Sequence, residues 1–173
     1  MSPHGPFLVV LLIQGPSGQP PARPWALTAD WASPITVPSR TRNIVLAALD
    51  YEPTDTVKGA VVDLNRDGSP DYIIGSAPRL CGTGGCPYLI VDGAKEGIIA
   101  RLFGAALYIQ AEESHGYPTI TSYYHMGAES VTYTRWAFDG REFRQTSSRP
   151  LAGASLDSLF AVLRRIPTWK PPL

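Results

Sequence analysis

From Val57 onward, short apolar runs alternate with turns that contain Gly, Asp or Pro. Runs of about four to eight residues rich in Val, Ile, Thr, Tyr and Phe are typical of β-strands. Asp139-Gly140 is also typical of a tight hairpin turn, because both positions tolerate a positive φ. The pattern predicts the strands Val57–Val62, Tyr72–Gly75, Tyr88–Val91, Gly97–Phe103, Leu107–Ala111, Thr119–His125, Val131–Phe138 and Glu142–Thr146.

A helical pattern replaces the strand pattern at the end of the chain. Pro167 would end this helix, and Ser155 is a suitable N-cap. The apolar run Ser39–Leu49 is too short to distinguish helix from strand. We therefore predict a mainly β (α+β) fold, an antiparallel meander of about six to eight strands with one C-terminal amphipathic helix. The apolar face of that helix comprises Leu156, Leu159, Phe160, Leu163 and Ile166.

The length of 173 residues suits one domain, which we place at residues 39–173. Residues 1–22 are interpreted as a signal peptide, because Phe7–Ile13 has the length of a secretory apolar region and is too short to span a bilayer. No Lys or Arg precedes that run, so a disordered tail or a misassigned start codon is the alternative. Residues 23–38 are predicted to be a Pro-rich linker whose Trp25 and Trp31 dock onto the fold. These features predict a secreted or periplasmic protein without a transmembrane anchor.

The charge balance of the chain argues against two classes of protein. Lys plus Arg and Asp plus Glu number 15 each, and 17% of residues are charged. A net charge of zero argues against a general nucleic-acid binder and a polybasic membrane-surface protein. The charges are nevertheless segregated: Asp50 to Asp71 holds six acids and two bases, whereas Arg135 to Lys170 holds seven bases and three acids. The arginine-rich end is the expected contact surface.

The two cysteines, Cys81 and Cys86, enclose four residues, three of them glycine. Glycine lets the backbone turn tightly, so a disulfide across this short loop is geometrically easy. A zinc site would need two further ligands, for which His115 and His125 are the candidates, and free thiols are the third alternative. We favour the disulfide, which agrees with an oxidising compartment.

An acidic loop separates the first two predicted strands. In Asp63-Leu64-Asn65-Arg66-Asp67-Gly68-Ser69-Pro70-Asp71, oxygen-bearing side chains occupy positions 1, 3, 5 and 9, and glycine occupies position 6. Calcium prefers about six to eight hard oxygen ligands around a tightly wound loop. Without a cation the three carboxylates would repel one another. The pattern therefore indicates a calcium site, and an Asp/Asn turn that binds no metal is the alternative.

The segment Gly59–Pro78 resembles the calcium loop of FG-GAP/VCBS-type repeats. Position 12 of the loop is Ile74 rather than a bidentate Glu, so an EF-hand switch is excluded. The family usually builds propellers from several copies, and this chain has one copy, so we expect a solitary domain and not a multi-blade propeller. The resemblance implies a structural calcium ion that locks two strands together, with the ligands Asp63, Asn65, Asp67, Ser69 and Asp71.

A second group of chemically active residues lies further along the chain. Glu112, Glu113, His115 and His125 fall within 14 residues and could form an acid/base cluster or a second metal site. The same stretch also has the character of a turn between two strands, which is the simpler interpretation. An aromatic platform for a glycan or peptide is a further candidate, and ordinary packing is its alternative: Tyr117, Tyr123, Tyr124, Tyr133 and Trp136.

The sequence thus predicts an exported, calcium-stabilised β domain that binds an extracytoplasmic protein or a glycan. A cell-envelope hydrolase that uses the Glu/His group is the first alternative. A small secreted enzyme inhibitor is the second, with the Cys81–Cys86 loop inserted into its target.

Overall fold

The computed structural model describes residues 24–28 and 33–169. The predicted signal peptide and Trp31 lie outside these residues. The described chain forms two α-helices, α1 (Ser39–Leu49) and α2 (Ala154–Leu163). It also forms nine strands: β1 (Trp25–Thr28), β2 (Gly59–Val62), β3 (Asp71–Gly75), β4 (Cys86–Asp92), β5 (Gly97–Gly104), β6 (Ala106–Ser114), β7 (Tyr117–His125), β8 (Ser130–Phe138) and β9 (Phe143–Ala152).

The strands form two antiparallel sheets rather than one continuous meander. One sheet has the order β2-β3-β4-β5, and the other has the order β1-β6-β7-β8-β9. The chain passes between the sheets at Ala105, which separates β5 from β6. Neither a closed barrel nor a propeller occurs in the described part of the chain. The prediction of a mainly β fold with a C-terminal helix is confirmed.

The two sheets face each other, and each has a helix on its outer face. The core between them contains Leu27 and Ile120 from one sheet and Ile73 and Ile90 from the other, all fully buried. Helix α1 covers the outer face of the four-stranded sheet, and α2 covers part of the five-stranded sheet. Strands β3 and β4 are apolar on both faces for this reason. They therefore appear in the sequence as continuous apolar runs rather than alternating ones.

Strand β1 lies within the range predicted to be a linker. Its residues pair with β6, so that Trp25 lies opposite Ile109. The segment after α2 runs back along the other edge of β1, because Trp169 donates a backbone hydrogen bond to Ala26. The rings of Trp25 and Trp169 are 4.8 Å apart. The expected docking of Trp25 therefore takes the form of an added strand.

Two other boundaries differ from the sequence prediction. Strand β9 extends to Ala152 because it pairs with β8 along its whole length, and Pro150 is tolerated because β9 is an edge strand. Gly153, not Ser155, caps helix α2, and no side chain contributes to the cap. Within the described ranges, no helix is long and apolar enough to cross a membrane.

Cys81 and Cys86 form a disulfide with a Cα–Cα separation of 4.3 Å. The two ends of the glycine-rich loop are also joined by reciprocal backbone hydrogen bonds between Gly82 and Gly85. Cys86 begins β4 and is buried, whereas Cys81 is exposed. The disulfide prediction is confirmed. Both sulfur atoms are consumed in the bond, so the free-thiol and zinc alternatives are wrong.

Replacement of both Cys81 and Cys86 by alanine should lower the free energy of unfolding by about 2 kcal/mol, because the open chain gains conformational freedom when unfolded. Urea denaturation of the oxidised wild type and the double variant measures the difference. Wild-type protein held in reductant should match the variant. Equal stability of the oxidised and reduced wild-type protein would show that the disulfide constrains little.

Candidate calcium site

The acidic loop Asp63–Pro70 connects β2 to β3, as the sequence predicted. Two residues in the left-handed region give the loop its tight winding: Arg66 has a φ of 60° and Gly68 a φ of 87°. Glycine adopts this conformation at little energetic cost, whereas a residue with a Cβ is strained there. Gly68 thus has the turn-forming role that the sequence assigned to it.

Three side chains of the loop turn inward onto its own backbone. The Asp63 carboxylate accepts hydrogen bonds from the N–H groups of Asp67 (3.1 Å) and Gly68 (2.9 Å). Asn65 Oδ1 also accepts from the Asp67 N–H (3.1 Å), and Asp67 Oδ1 accepts from the Ser69 N–H (2.8 Å). Oxygen atoms from positions 1, 3 and 5 of the loop therefore collect around the same short stretch of backbone.

Asp71 closes the loop from its far end, and its side chain is almost completely buried. Its Oδ2 accepts a hydrogen bond from the Leu64 N–H at 2.9 Å, and its Oδ1 accepts one from the Gly93 N–H at 3.1 Å. The first bond joins the two ends of the loop. The second ties the loop to the turn between β4 and β5. Asp71 is therefore a structural link as well as a predicted ligand.

A second buried carboxylate, Asp92, lies next to Asp71 at the end of β4. Burial would raise the pKa of Asp92, but the Lys95 N–H and ammonium group outweigh it and hold the pKa below its usual range. The Lys95 Nζ lies 3.0 Å from Asp92 Oδ2. Asp71 has no such ion pair in the described chain. Burial, assisted by the charges of Asp92 and Asp67, raises the pKa of Asp71 to about 7 against the opposing effect of its two backbone hydrogen bonds.

Tyr117 joins this acidic region to the other sheet. Its hydroxyl donates to Asp92 Oδ2 at 3.1 Å and accepts a hydrogen bond from Asn65 Nδ2 at 3.0 Å. A second link is the ion pair between Arg66 and Glu113, with a nitrogen–oxygen distance of 2.9 Å. Because Tyr117 and Glu113 belong to the five-stranded sheet, the loop between β2 and β3 contacts both sheets.

Sequence reasoning did not find the roles of Asp92 and Tyr117. Asp92-Gly93 repeats the strand-Asp-Gly-strand pattern of the acidic loop, but it lacks the ligand spacing. That repetition was the one sequence feature that pointed to Asp92. Tyr117 carried no signal, because its partner Asn65 is 52 residues away in the chain.

The donor set fits calcium by its chemistry. Asp63, Asn65, Asp67 and Asp71 offer hard side-chain oxygens, and Ser69 has a backbone carbonyl in the same loop. Among residues 24–28 and 33–169, no three His, Cys, Asp or Glu side chains converge in the arrangement of a metal site. The carboxylates of the loop instead accept hydrogen bonds from backbone N–H groups. Each carboxylate oxygen still has a lone pair that could bind a cation.

The structure does not bring the predicted Glu/His group together. Glu112 pairs with Arg135, and His115 Nδ1 lies 2.9 Å from the carbonyl oxygen of Phe138. His125 lies at the opposite end of β7, so roughly 30 Å of extended strand separates it from His115. The four residues therefore share no cleft.

The five aromatic residues do not form a single platform either. Tyr117 is buried in the core between the sheets, and Trp136 packs against the same core. Tyr123 packs instead against Phe160 of α2, with a centroid distance of 5.3 Å. Tyr133 has the Arg149 guanidinium 5.8 Å above its ring. Most of these rings are thus engaged in packing.

Comparison of the chain with protein-family models, curated proteins and solved structures gave no significant match. Inferences about function therefore depend on the chemistry and geometry of the chain itself.

Proposed function

We propose that this protein is an exported β domain stabilised by a structural calcium ion, and that it acts by binding rather than by catalysis. One observation carries the proposal: the buried Asp71 carboxylate lies at the junction of the acidic loop with the turn that holds Asp92. A buried carboxylate without a cationic partner is unfavourable. A divalent cation in the loop would supply the missing positive charge.

Calcium would be held by side-chain oxygens of Asp63, Asn65, Asp67 and Asp71 and by the carbonyl of Ser69. The resemblance of this loop to the FG-GAP/VCBS pattern implies the same ligand set. The ion would supply electrostatic cross-linking of the loop. Asn65 and Asp71 would transmit that constraint, because they already bond to Tyr117 and to the Gly93 N–H. The expected consequence is a firmer attachment of the two sheets at this end.

The proposed location is secreted or periplasmic. A disulfide such as Cys81–Cys86 persists in oxidising compartments. Extracellular calcium modules bind with dissociation constants of about 0.1–1 mM, which suits such a compartment and not a cytosol. The partner we propose is an extracytoplasmic protein or a glycan. The hydrolase alternative has less support, because His125 lies at the opposite end of β7 from the other three candidate residues.

The test is a comparison of thermal unfolding in calcium and in chelator. At about 5 mM calcium, a site of this affinity should stabilise the fold by about 1–2 kcal/mol and raise Tm by a few degrees. The variant carrying both Asp63→Asn and Asp67→Asn should lose the calcium-dependent increase. The matched control is Glu129→Gln, which removes one exposed carboxylate outside the loop and should keep it.

Isothermal titration of the same proteins with calcium measures the binding directly. One ion per chain is expected for the wild type and none for the loop variant. An unchanged wild-type Tm together with no heat of binding would overturn the calcium proposal. A shift that survives in the loop variant would place the ion elsewhere and overturn the ligand assignment.

A further inference from the structure

We propose that the end of the molecule opposite the acidic loop holds a binding site for a small organic anion with an apolar body. A cavity of 660 Å³ lies there, which we call the disulfide-end cleft. Its volume is within the range of about 300–1,000 Å³ that is typical of small-ligand sites. Its walls come from both sheets and from the disulfide loop, including Lys58, Ser76, Cys81, Cys86, Tyr123 and His125.

The strand directions place this cleft far from the acidic loop. Strands β3 and β7 begin at the loop end, at Asp71 and Tyr117, and they finish at the cleft end, at Gly75 and His125. Strand β4 runs the other way, from Cys86 at the cleft to Asp92 at the loop. The proposal of a ligand site in this cleft therefore rests on the proposed binding role of the protein, but it does not depend on calcium binding by the acidic loop.

The charge of the lining favours an anion. Lys58 and His125 line the cleft, whereas no Asp or Glu among residues 24–28 and 33–169 does so. Lys58 is exposed and forms no ion pair with any residue that the structure describes. The three acidic side chains that precede Lys58 in the segment 50–57 pair with Arg79 instead: Asp50, Glu52 and Asp55. The Lys58 ammonium group is therefore available to form an ion pair with a bound anion.

Hydroxyl groups supply the remaining polar contacts. Thr28, Ser76 and Thr83 line the cleft, and each hydroxyl can donate to a carboxylate, sulfonate or phosphate oxygen. A cation surrounded by neutral donors is suited to a ligand with one localised negative charge.

The surface beside the cleft, around the disulfide loop, carries exposed apolar side chains. Three of the four large hydrophobic side chains that are exposed in the described chain surround the disulfide loop: Leu80 (41% exposed), Phe103 (40%) and Met126 (64%). Leu80 precedes Cys81, and the Phe103 ring lies beside Gly84. Met126 lines a second depression of 480 Å³ that shares Thr83 and His125 with the cleft. Together these surfaces would cover the apolar body of an elongated ligand.

Two fluorescent probes that share one ring system test the proposal. Anilinonaphthalene sulfonate carries a negative charge, and N-phenylnaphthylamine has the same rings without it. The folded wild type should bind the sulfonate saturably with one site per chain. Lys58→Gln should weaken sulfonate binding by about tenfold, as expected for loss of one charge-assisted contact. Binding of the neutral probe should change by less than about twofold.

Arg101→Gln is the matched control, since Arg101 is an exposed cation that does not line the cleft. This variant should bind both probes like the wild type. Thr83→Trp, which adds a large ring at the entrance, should weaken both. The proposal is overturned if the wild type shows no saturable binding, or if Lys58→Gln and Arg101→Gln weaken the sulfonate equally.

The same titrations in calcium and in chelator separate this proposal from the calcium proposal. If the protein shows the calcium-dependent Tm increase but binds no probe, the proposal of a ligand site in the cleft is overturned and the calcium proposal is not. If the protein binds the probe but its Tm does not change with calcium, the calcium proposal is overturned and the proposal of a ligand site in the cleft is not. Circular dichroism of each variant before titration confirms that the probe reports on folded protein.

Discussion

Replacement of Gly93 by alanine is expected to lower the free energy of unfolding by about 3 kcal/mol or more, because it creates a severe overlap in a closely packed region. A Cβ on Gly93 would lie 1.7 Å from the carbonyl oxygen of Pro70 and 2.8 Å from its carbonyl carbon. Both contacts are to backbone, so no side-chain rotation can relieve them. The backbone of Gly93 is also held in place, because its N–H donates to the buried Asp71.

Gly97→Ala is the matched control for this prediction. Gly97 lies at the other end of the same turn, and the nearest atom to a Cβ there is the Lys95 carbonyl oxygen at 3.9 Å. Urea or thermal denaturation should show a loss of less than about 1 kcal/mol for Gly97→Ala. If Gly93→Ala does not fold while Gly97→Ala does, the prediction is also supported, because the loss of stability then exceeds the whole free energy of unfolding. Equal stability of the two variants would contradict the close approach of Pro70 to this turn.

The calcium-dependent Tm increase should also fall in Gly93→Ala. Separation of Pro70 from Gly93 would pull the Asp71 carboxylate away from its second hydrogen bond, and Asp71 is a predicted ligand. Comparison with Gly97→Ala at the same calcium concentration isolates this effect from general destabilisation.

The sequence allowed the strands in the middle of the chain to be predicted because their signals are local. The acidic loop and the Asp139-Gly140 turn, which precedes β9, each combine turn residues with adjacent apolar runs. The two-sheet arrangement could not be predicted in the same way. The chain crosses between sheets at Ala105, a single residue with no special conformational character. Strand β1 was hidden because four residues in a Pro-rich segment carry too little periodicity to be recognised.

The same distinction applies to the candidate site. The spacing of Asp63, Asn65 and Asp67 within one loop is a local pattern, and the structure places these side chains on the same stretch of backbone. Tyr117 and Asp92 join the site only through tertiary packing. Their separation of 25 residues in the chain leaves no pattern from which their hydrogen bond could be inferred. Whether the loop binds calcium stays a prediction until it is measured.

Replacement of Asp92 by alanine should lower the free energy of unfolding by about 3 kcal/mol, because two polar groups lose a buried partner. Asp92 Oδ1 accepts a hydrogen bond from the Lys95 N–H at 2.8 Å, and Oδ2 accepts one from the buried Tyr117 hydroxyl. The Lys95 ammonium contributes less, since its side chain is 67% exposed and solvent screens it. Relief of the repulsion between Asp92 and Asp71 will offset a part of the loss.

A double-mutant cycle with Tyr117→Phe separates the contribution of the hydroxyl. Tyr117→Phe alone should cost about 1–2 kcal/mol. Once that hydroxyl is absent, Asp92→Ala leaves one fewer group unsatisfied. The combined loss should therefore be about 1 kcal/mol smaller than the sum of the single losses. Chemical denaturation of the four proteins in chelator measures the coupling without any contribution from calcium. Additive losses would show that the Asp92–Tyr117 hydrogen bond does not join the two sheets.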